Sequence, residues 1–133
     1  MTKPTFLAPL LSRDAGACVL VEASRGTLLA SRVEPAFDSK TRKKGLLGRT
    51  TVPDDYVLII APSNAVHTWF MRFPIDIVFV SREGLVTGVR EAVRPWRLAA
   101  AWRGFATIEL AAGSAAAAKT AKGDRLVLVP GSA

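Results

Sequence analysis

The chain has 133 residues, half of them hydrophobic, which suits one folded domain and excludes an intrinsically disordered protein. Its formal net charge is +7, and its single cysteine, Cys18, excludes an intrachain disulfide. The apolar run at residues 6–11 is too short and too proline-interrupted for a signal peptide, and no segment is long enough to span a bilayer. These features favour a reducing compartment, and we expect a cytoplasmic protein.

The first part of the chain predicts an arm followed by a hairpin. Residues 1–14 form the arm, and residues 15–133 form a single β-rich domain. Two apolar runs around the turn signal at residues 24–26 predict a β-hairpin over residues 17–33. Pro35 is expected to end this hairpin.

A basic helix is predicted next, over residues 40–47. Asp38 and Ser39 are suitable N-cap residues, and Gly48 suits the C-terminal end. Gly45 would then lie inside the helix, where glycine costs about 1 kcal/mol relative to alanine. A close approach of another group to Gly45 would offset that cost.

Short apolar runs separated by turn signals predict strands through the rest of the chain. The predicted strands cover residues 56–62, 66–71, 75–80, 85–90, 105–110 and 125–129, with an alanine-rich helix at 113–121 and an irregular segment at 91–104. The short connections imply mostly antiparallel pairing. We therefore predict an α+β fold, with a curled, barrel-like and mostly antiparallel sheet of about eight short strands and two short helices.

Several classes of site are excluded by missing motifs. The chain has no glycine-rich phosphate loop, no dinucleotide fingerprint and no nucleophile elbow. One histidine and one cysteine cannot build a zinc site, so we predict neither a metal nor a cofactor. The basic helix lacks interleaved aromatic residues, and we expect no sequence-specific binding of nucleic acid, only weak non-specific binding at low salt.

The most informative stretch is residues 66–80, which contains the only histidine of the chain. Alternate side chains of a strand share a face, so His67, Trp69 and Met71 are predicted to point the same way. His67 is either an acid or base or a half-buried histidine held by a carbonyl group. Trp69 and Met71 either line an apolar pocket or belong to the core.

Asp76 opens an otherwise apolar strand, where a carboxylate needs a partner. Its partner is expected to be Arg49, Arg72, a hydroxyl group such as that of Thr68, or backbone amides at the Phe73–Pro74 turn. Asp76 is then a ligand anchor, a general base or a structural clamp on the turn, and we favour the clamp. As a possible partner of Asp76, Arg49 is also a candidate ligand-binding residue.

Glu109 lies between apolar residues near the end of a predicted strand. If it shares a cavity with His67, it is a candidate functional residue. The alternative, which we favour, is that it pairs with an arginine.

Taken together, several motifs resemble the conserved-protein family catalogued as domain of unknown function 192. They are KGLLGR at 44–49, HTWFMR at 67–72, PIDIVF at 74–79, ELAAG at 109–113 and GD at 123–124. The resemblance covers roughly residues 15–130 and implies a small β-rich domain with short helices. The characteristic residues of the family map onto Gly45, Leu46, Arg49, His67, Trp69, Met71, Asp76, Pro95, Glu109, Gly113 and Asp124. Because the family has no settled activity, the resemblance makes none of them catalytic.

Three functional hypotheses remain. The leading one is a non-enzymatic accessory domain that binds a small ligand or a peptide in a cleft near His67, Trp69, Met71 and Asp76. The second is an enzyme that uses His67 and Asp76 as acid and base, with Glu109 as a further candidate. The third is a protein-interaction module that uses the basic helix at 40–49 or the loop from Trp96 to Trp102.

Overall fold

The computed structural model describes residues 4–11 and 18–131, so parts of the predicted arm and Ala17 of the predicted first strand lie outside the described residues. The described residues form ten strands and three short helices. In chain order these are α1 (Ala8–Leu11), β1 (Cys18–Glu22), β2 (Thr27–Ala30), β3 (Arg32–Ala36), α2 (Ser39–Lys44), β4 (Tyr56–Ile60), β5 (Ala65–His67), β6 (Ile75–Val80), β7 (Val86–Val93), β8 (Leu98–Ala100), β9 (Ala106–Ala111), α3 (Ser114–Ala117) and β10 (Leu126–Pro130).

The strands form three sheets, with the orders β10-β1-β2, β3-β4-β9-β6-β7 and β5-β8. Every strand pair is antiparallel except β3 with β4, which is parallel. The prediction of a strand-rich α+β fold with mostly antiparallel pairing is confirmed. However, none of the three described sheets closes into a barrel, and the strands number ten rather than about eight.

The largest sheet separates two hydrophobic clusters. Its central strands β4, β6 and β9 are buried along their whole length, because both faces are covered. One cluster includes Val57, Ile108 and Ala115 of α3, and also Leu7 beside α1. The other includes Leu58, Ile77 and Leu46, which follows α2. One face of the sheet is therefore covered by the three-stranded sheet, which contributes Leu20, Leu29 and Leu126, together with α3. The other face is covered by residues outside that sheet, such as Leu46 after α2.

The predicted hairpin is shorter than expected. The chain leaves β2 at Ala30. The N–H groups of Ser31 and Arg32 then donate to the carbonyl of Asp55, and these hydrogen bonds place the start of β3 beside β4. Pro35 lies inside β3 rather than ending a strand. A proline is tolerated there because β3 is the edge of its sheet, where one row of backbone groups has no strand partner.

The basic helix ends earlier than predicted. The Asp38 side chain caps α2 by accepting from the N–H of Thr41 at 2.9 Å, as predicted, but α2 ends at Lys44. Gly45 is its C-cap, with φ of 48°, a backbone conformation that favours glycine. Gly45 therefore ends the helix instead of weakening its interior.

The predicted strand over residues 66–71 stops at His67. Thr68 is buried, and its hydroxyl donates to the carbonyl of Arg94 at 2.6 Å and accepts from the N–H of Arg97 at 2.9 Å. The chain then turns through Phe70, whose φ is 65°. The partners of Thr68 lie in the segment 91–104, which was predicted to be irregular. In the structure this segment is partly ordered, because β7 extends to Val93 and β8 pairs with β5.

Candidate ligand-binding cavity

A cavity of about 260 Å³ lies between the C-terminal end of α2, the strand β5 and the side chain of Glu109 on β9. We call it the α2–β9 cavity. Its lining residues are Ser39, Arg42, Lys43, Lys44, Gly45, Leu46, Leu47, Ile60, Pro62, Ser63, Ala65, Val66, His67, Met71 and Glu109. It brings together three of the six candidate residues: His67, Met71 and Glu109.

Glu109 reaches the cavity from the middle of the large sheet. On β9 it lies between Leu58 of β4 and Ile77 of β6, and the residue is only 4 % exposed. Its Oε1 atom has no hydrogen-bond partner, and no ion pair between the described side chains includes it. The expected arginine partner is therefore missing from the described residues.

Burial raises the pKa of Glu109 to about 7, because the ionised carboxylate loses its hydration without gaining a charged partner. At neutral pH the side chain therefore exists in both its protonated and its ionised form. A carboxyl group with this pKa is suited to exchange a proton or to accept a hydrogen bond from a bound molecule.

The backbone of Gly45 packs directly over this carboxyl group. A Cβ atom at residue 45 would lie 3.0 Å from Oε1 of Glu109. Glycine therefore suits this position for two reasons: the positive φ of residue 45 and the close approach of the Glu109 carboxyl group. The sequence indicated a close-approach role for Gly45, but it did not identify Glu109 as the group that approaches.

The last turn of α2 brings positive charge to the opening of the cavity. Arg42, Lys43 and Lys44 all line it, and Lys43 and Lys44 are exposed. One guanidinium nitrogen of Arg42 donates to the carbonyl of Phe37 at 2.6 Å, which holds the charged end of this side chain near the start of α2. The basic helix and the region around His67 were separate candidate sites in the sequence, and in the structure both contribute to one cavity.

His67 and Trp69 form a stacked pair at the edge of the cavity. Their ring centroids are 4.5 Å apart, with an interplanar angle of 22°. His67 lines the cavity, whereas Trp69 does not, and Trp69 is 45 % exposed. Met71 lines the cavity from a buried position after the turn, so strand alternation does not explain how these three residues are arranged.

Asp76 lies outside the cavity lining and is fully buried. One carboxylate oxygen accepts from the N–H of Ala92 at 2.8 Å, and the other accepts from the N–H groups of Gly113 and Ala115 at 3.1 and 2.9 Å. Its partners are therefore backbone amides, one of the alternatives considered, although not those of the Phe73–Pro74 turn. The carboxylate ties β6 to the bulged part of β7 and to the start of α3.

Arg49 is also engaged away from the cavity. Its guanidinium contacts Glu34 at 3.1 Å and lies 4.9 Å above the ring of Tyr56. The hydroxyl of Tyr56 also donates to Glu34. Arg49 therefore helps to hold β3 against β4.

The loop region with two tryptophans leaves them on the surface. Trp96 is 56 % exposed and packs on Phe70 at 4.7 Å, and Trp102 is 86 % exposed. Neither lines the α2–β9 cavity.

Within the part of the chain that the structure describes, no cluster of three or more His, Cys, Asp or Glu side chains could hold a metal ion. None of the described helices has the length and apolar character needed to cross a membrane.

Fold and cavity together define a small, strand-rich α+β domain with a buried acid facing a basic-rimmed pocket. The chain belongs to the DUF192 family, described as Uncharacterized ACR, whose model matches residues 20–128. The resemblance seen in the sequence motifs is therefore confirmed.

Two solved structures share the fold. A protein of unknown function from Novosphingobium aromaticivorans DSM 12444 is 26% identical, with a TM-score of 0.72 and 82% of each chain covered. A protein from Sinorhizobium meliloti 1021, provisionally described as a transcription regulator, is 22% identical, with a TM-score of 0.71, and the match covers 84% of this chain and 91% of that one. Among curated proteins, none matches the chain. The family and these structural relatives are uncharacterised, so the functional argument depends on the cavity.

Proposed function

We propose that the chain is an accessory domain that binds a small ligand, or the end of a peptide, in the α2–β9 cavity. The observation that carries this proposal is the unpartnered Oε1 atom of Glu109. Among the described residues, the other two buried acids are Glu22 and Asp76, and each accepts several backbone N–H groups. Buried polar groups are nearly always satisfied, so an unsatisfied one beside a cavity supports a ligand as the missing partner.

The dimensions and lining of the cavity support a small occupant. A volume of about 260 Å³ is just below the range of typical pockets for drug-sized ligands. The lining is mixed: it includes the apolar residues Leu46, Ile60 and Met71 together with basic side chains, His67 and the buried acid. Ligand sites combine apolar lining with convergent polar groups, and this cavity contains both. A cytoplasmic location, expected from the single cysteine, belongs to the same proposal.

A fragment screen by protein-observed NMR tests this function. We expect hits that shift the backbone amides of Gly45, Leu46 and Glu109, and that bind more weakly to Lys43→Glu. Lys122→Glu, an exposed charge reversal outside the cavity, is the matched control and should bind like the unmodified protein. A screen without any fragment bound at these amides would refute the proposal, whereas hits equally insensitive to both substitutions would mean a ligand in the cavity that makes no contact with Lys43.

An enzyme is the second candidate function, and it is favoured by the raised pKa of Glu109 in a cavity that His67 also lines. Asp76 is engaged by three backbone amides, so the acid and base would be Glu109 and His67. Turnover of a screened substrate that depends sharply on pH near 7, and that is lost in a folded His67→Ala variant, would favour catalysis. Binding without turnover would favour the accessory domain.

A protein partner on the basic helix uses Lys43 and Lys44 but has no need of the buried acid. Charge reversal at these lysines would abolish capture of such a partner, whereas Glu109→Gln would leave it unchanged. Dependence on both positions would instead support a ligand inside the cavity.

A further inference from the structure

We propose that the ligand of the α2–β9 cavity is a small organic anion that carries a hydroxyl group. Its anionic group would contact the basic end of α2, and its hydroxyl group would contact Oε1 of Glu109. This inference rests on the proposed function, because it names the chemical class of the molecule bound at that same site.

The anionic group follows from the distribution of charge around the cavity. Three cationic side chains, Arg42, Lys43 and Lys44, line it, and none of them belongs to an ion pair between described side chains. Among the described lining residues Glu109 is the only acid, and it is buried. Arg42 and Lys44 interact with Asp38 and Glu34 only through longer-range electrostatics. A carboxylate or phosphate at the opening would therefore meet an excess of positive charge.

The hydroxyl group follows from the surroundings of Oε1. A hydroxyl group can donate to an ionised carboxylate, and it can also donate to or accept from a protonated carboxyl group. It therefore suits Glu109 in both of the forms present near neutral pH. An ammonium group would need the ionised form only, and its burial beside Leu46, Ile60 and Met71 would cost more than burial of a neutral hydroxyl group.

Matched pairs of small anions test the class. We would titrate isotope-labelled protein with 3-hydroxybutyrate and butyrate, with glycerol 3-phosphate and propyl phosphate, and with 3-aminobutyrate. The hydroxylated member of a pair should shift the amides of Gly45, Leu46 and Glu109 with a Kd about tenfold lower than that of its partner, as expected for one hydrogen bond to a buried carboxyl group.

Two variants separate the two contacts. Glu109→Leu places an apolar side chain among apolar neighbours, and it should reduce the hydroxyl preference from about tenfold to about onefold while weak anion binding persists. The surface double variant with Lys43→Glu and Lys44→Glu should weaken the hydroxylated and the unhydroxylated anions alike. If Glu109→Leu does not fold, Glu109→Gln replaces it and should retain part of the preference through its amide oxygen.

Each other outcome overturns the class in a distinct way. Equal binding within both pairs would show that Oε1 does not select a hydroxyl group, although the cavity would still bind ligands. Preferential binding of 3-aminobutyrate would replace the hydroxyl group by an ammonium group. If none of these anions shifts the cavity amides but fragments of another class do, the ligand class is wrong and the proposed function stands. If neither the anions nor any fragment shifts these amides, the ligand class and the proposed function both fail.

Discussion

Replacing Glu109 by glutamine should stabilise the protein at neutral and alkaline pH and leave the stability difference small at acid pH. The folded pKa of about 7 lies above the ordinary value of 4.5, so the unfolded chain releases this proton at lower pH than the folded chain does. The free energy of unfolding contributed by Glu109 is therefore highest below about pH 4.5 and is lost as the pH rises to about 7.

The size of the effect follows from the two pKa values. A rise from 4.5 to about 7 corresponds to about 3 kcal/mol, which the unmodified protein loses between about pH 4 and pH 8 and the glutamine variant does not. For a domain of this size, that is a large part of a total stability of about 5–15 kcal/mol. Other titrating groups are the same in both proteins, so they cancel in the difference.

Urea unfolding of both proteins across this pH range measures the difference directly. The matched control is Glu91→Gln, which removes an exposed carboxylate from β7 and should leave the pH dependence of stability unchanged. A carboxyl resonance of Glu109 that titrates near pH 7 would give independent support. Parallel stability curves for the unmodified protein and Glu109→Gln would refute the argument, because they would mean that the carboxylate is satisfied when the chain is folded.

Three further substitutions test other parts of the fold. Asp76→Asn leaves at least one of three backbone N–H groups without its carboxylate acceptor, and it should lower the free energy of unfolding by about 3 kcal/mol in urea titrations, whereas the exposed Asp54→Asn should change it little. Gly45→Ala should cost about 2 kcal/mol, more than Gly48→Ala, because both positions have positive φ but only residue 45 brings a Cβ atom close to another group; equal losses would contradict the contact with Glu109. Burial raises the pKa of Glu22, but hydrogen bonds from Ser24, Arg25 and Arg125 outweigh this effect and lower it to about 2. The contribution of Glu22 to the free energy of unfolding is therefore present above about pH 4.5 and is lost as the pH falls toward 2. Glu22→Gln should make stability less dependent on pH across that window, and an unchanged acid transition would contradict this.

Local patterns predicted most elements of the fold. Alternation and continuous apolar runs located β1, β4, β6, β9 and β10, and the cap at Asp38 located the start of α2. The errors occur where a long-range contact overrides a local pattern. Thr68 is held by the backbone of residues 94–97, which ends one predicted strand and orders part of a segment predicted to be irregular.

The candidate site was predicted less completely, because its geometry depends on non-local pairing. His67, Met71 and Glu109 were candidates from their residue types, and all three line the cavity. Trp69, Asp76 and Arg49 were also candidates, yet none of them lines the cavity. Trp69 stacks on His67 at the cavity edge, whereas Asp76 and Arg49 are engaged elsewhere. Nothing in the local sequence indicates that Gly45 ends a helix directly over a glutamate 64 positions later, since that contact depends on the placement of α2 against β9.

Within the described part of the chain, three acids are buried, and two of them hold the fold together whereas the third does not. Glu22 and Asp76 each accept backbone N–H groups that would otherwise be left unsatisfied, so their removal should damage the turns and the helix start that they hold. Glu109 satisfies no backbone group among the described hydrogen bonds, and an apolar side chain would suit its neighbours Leu58 and Ile77 better. A buried acid without a hydrogen-bond partner on Oε1, in a cavity that three cationic side chains also line, breaks a local rule in the way that binding sites do. A ligand that donates to Oε1 would supply the missing hydrogen bond, so binding and stability should be coupled at this one atom.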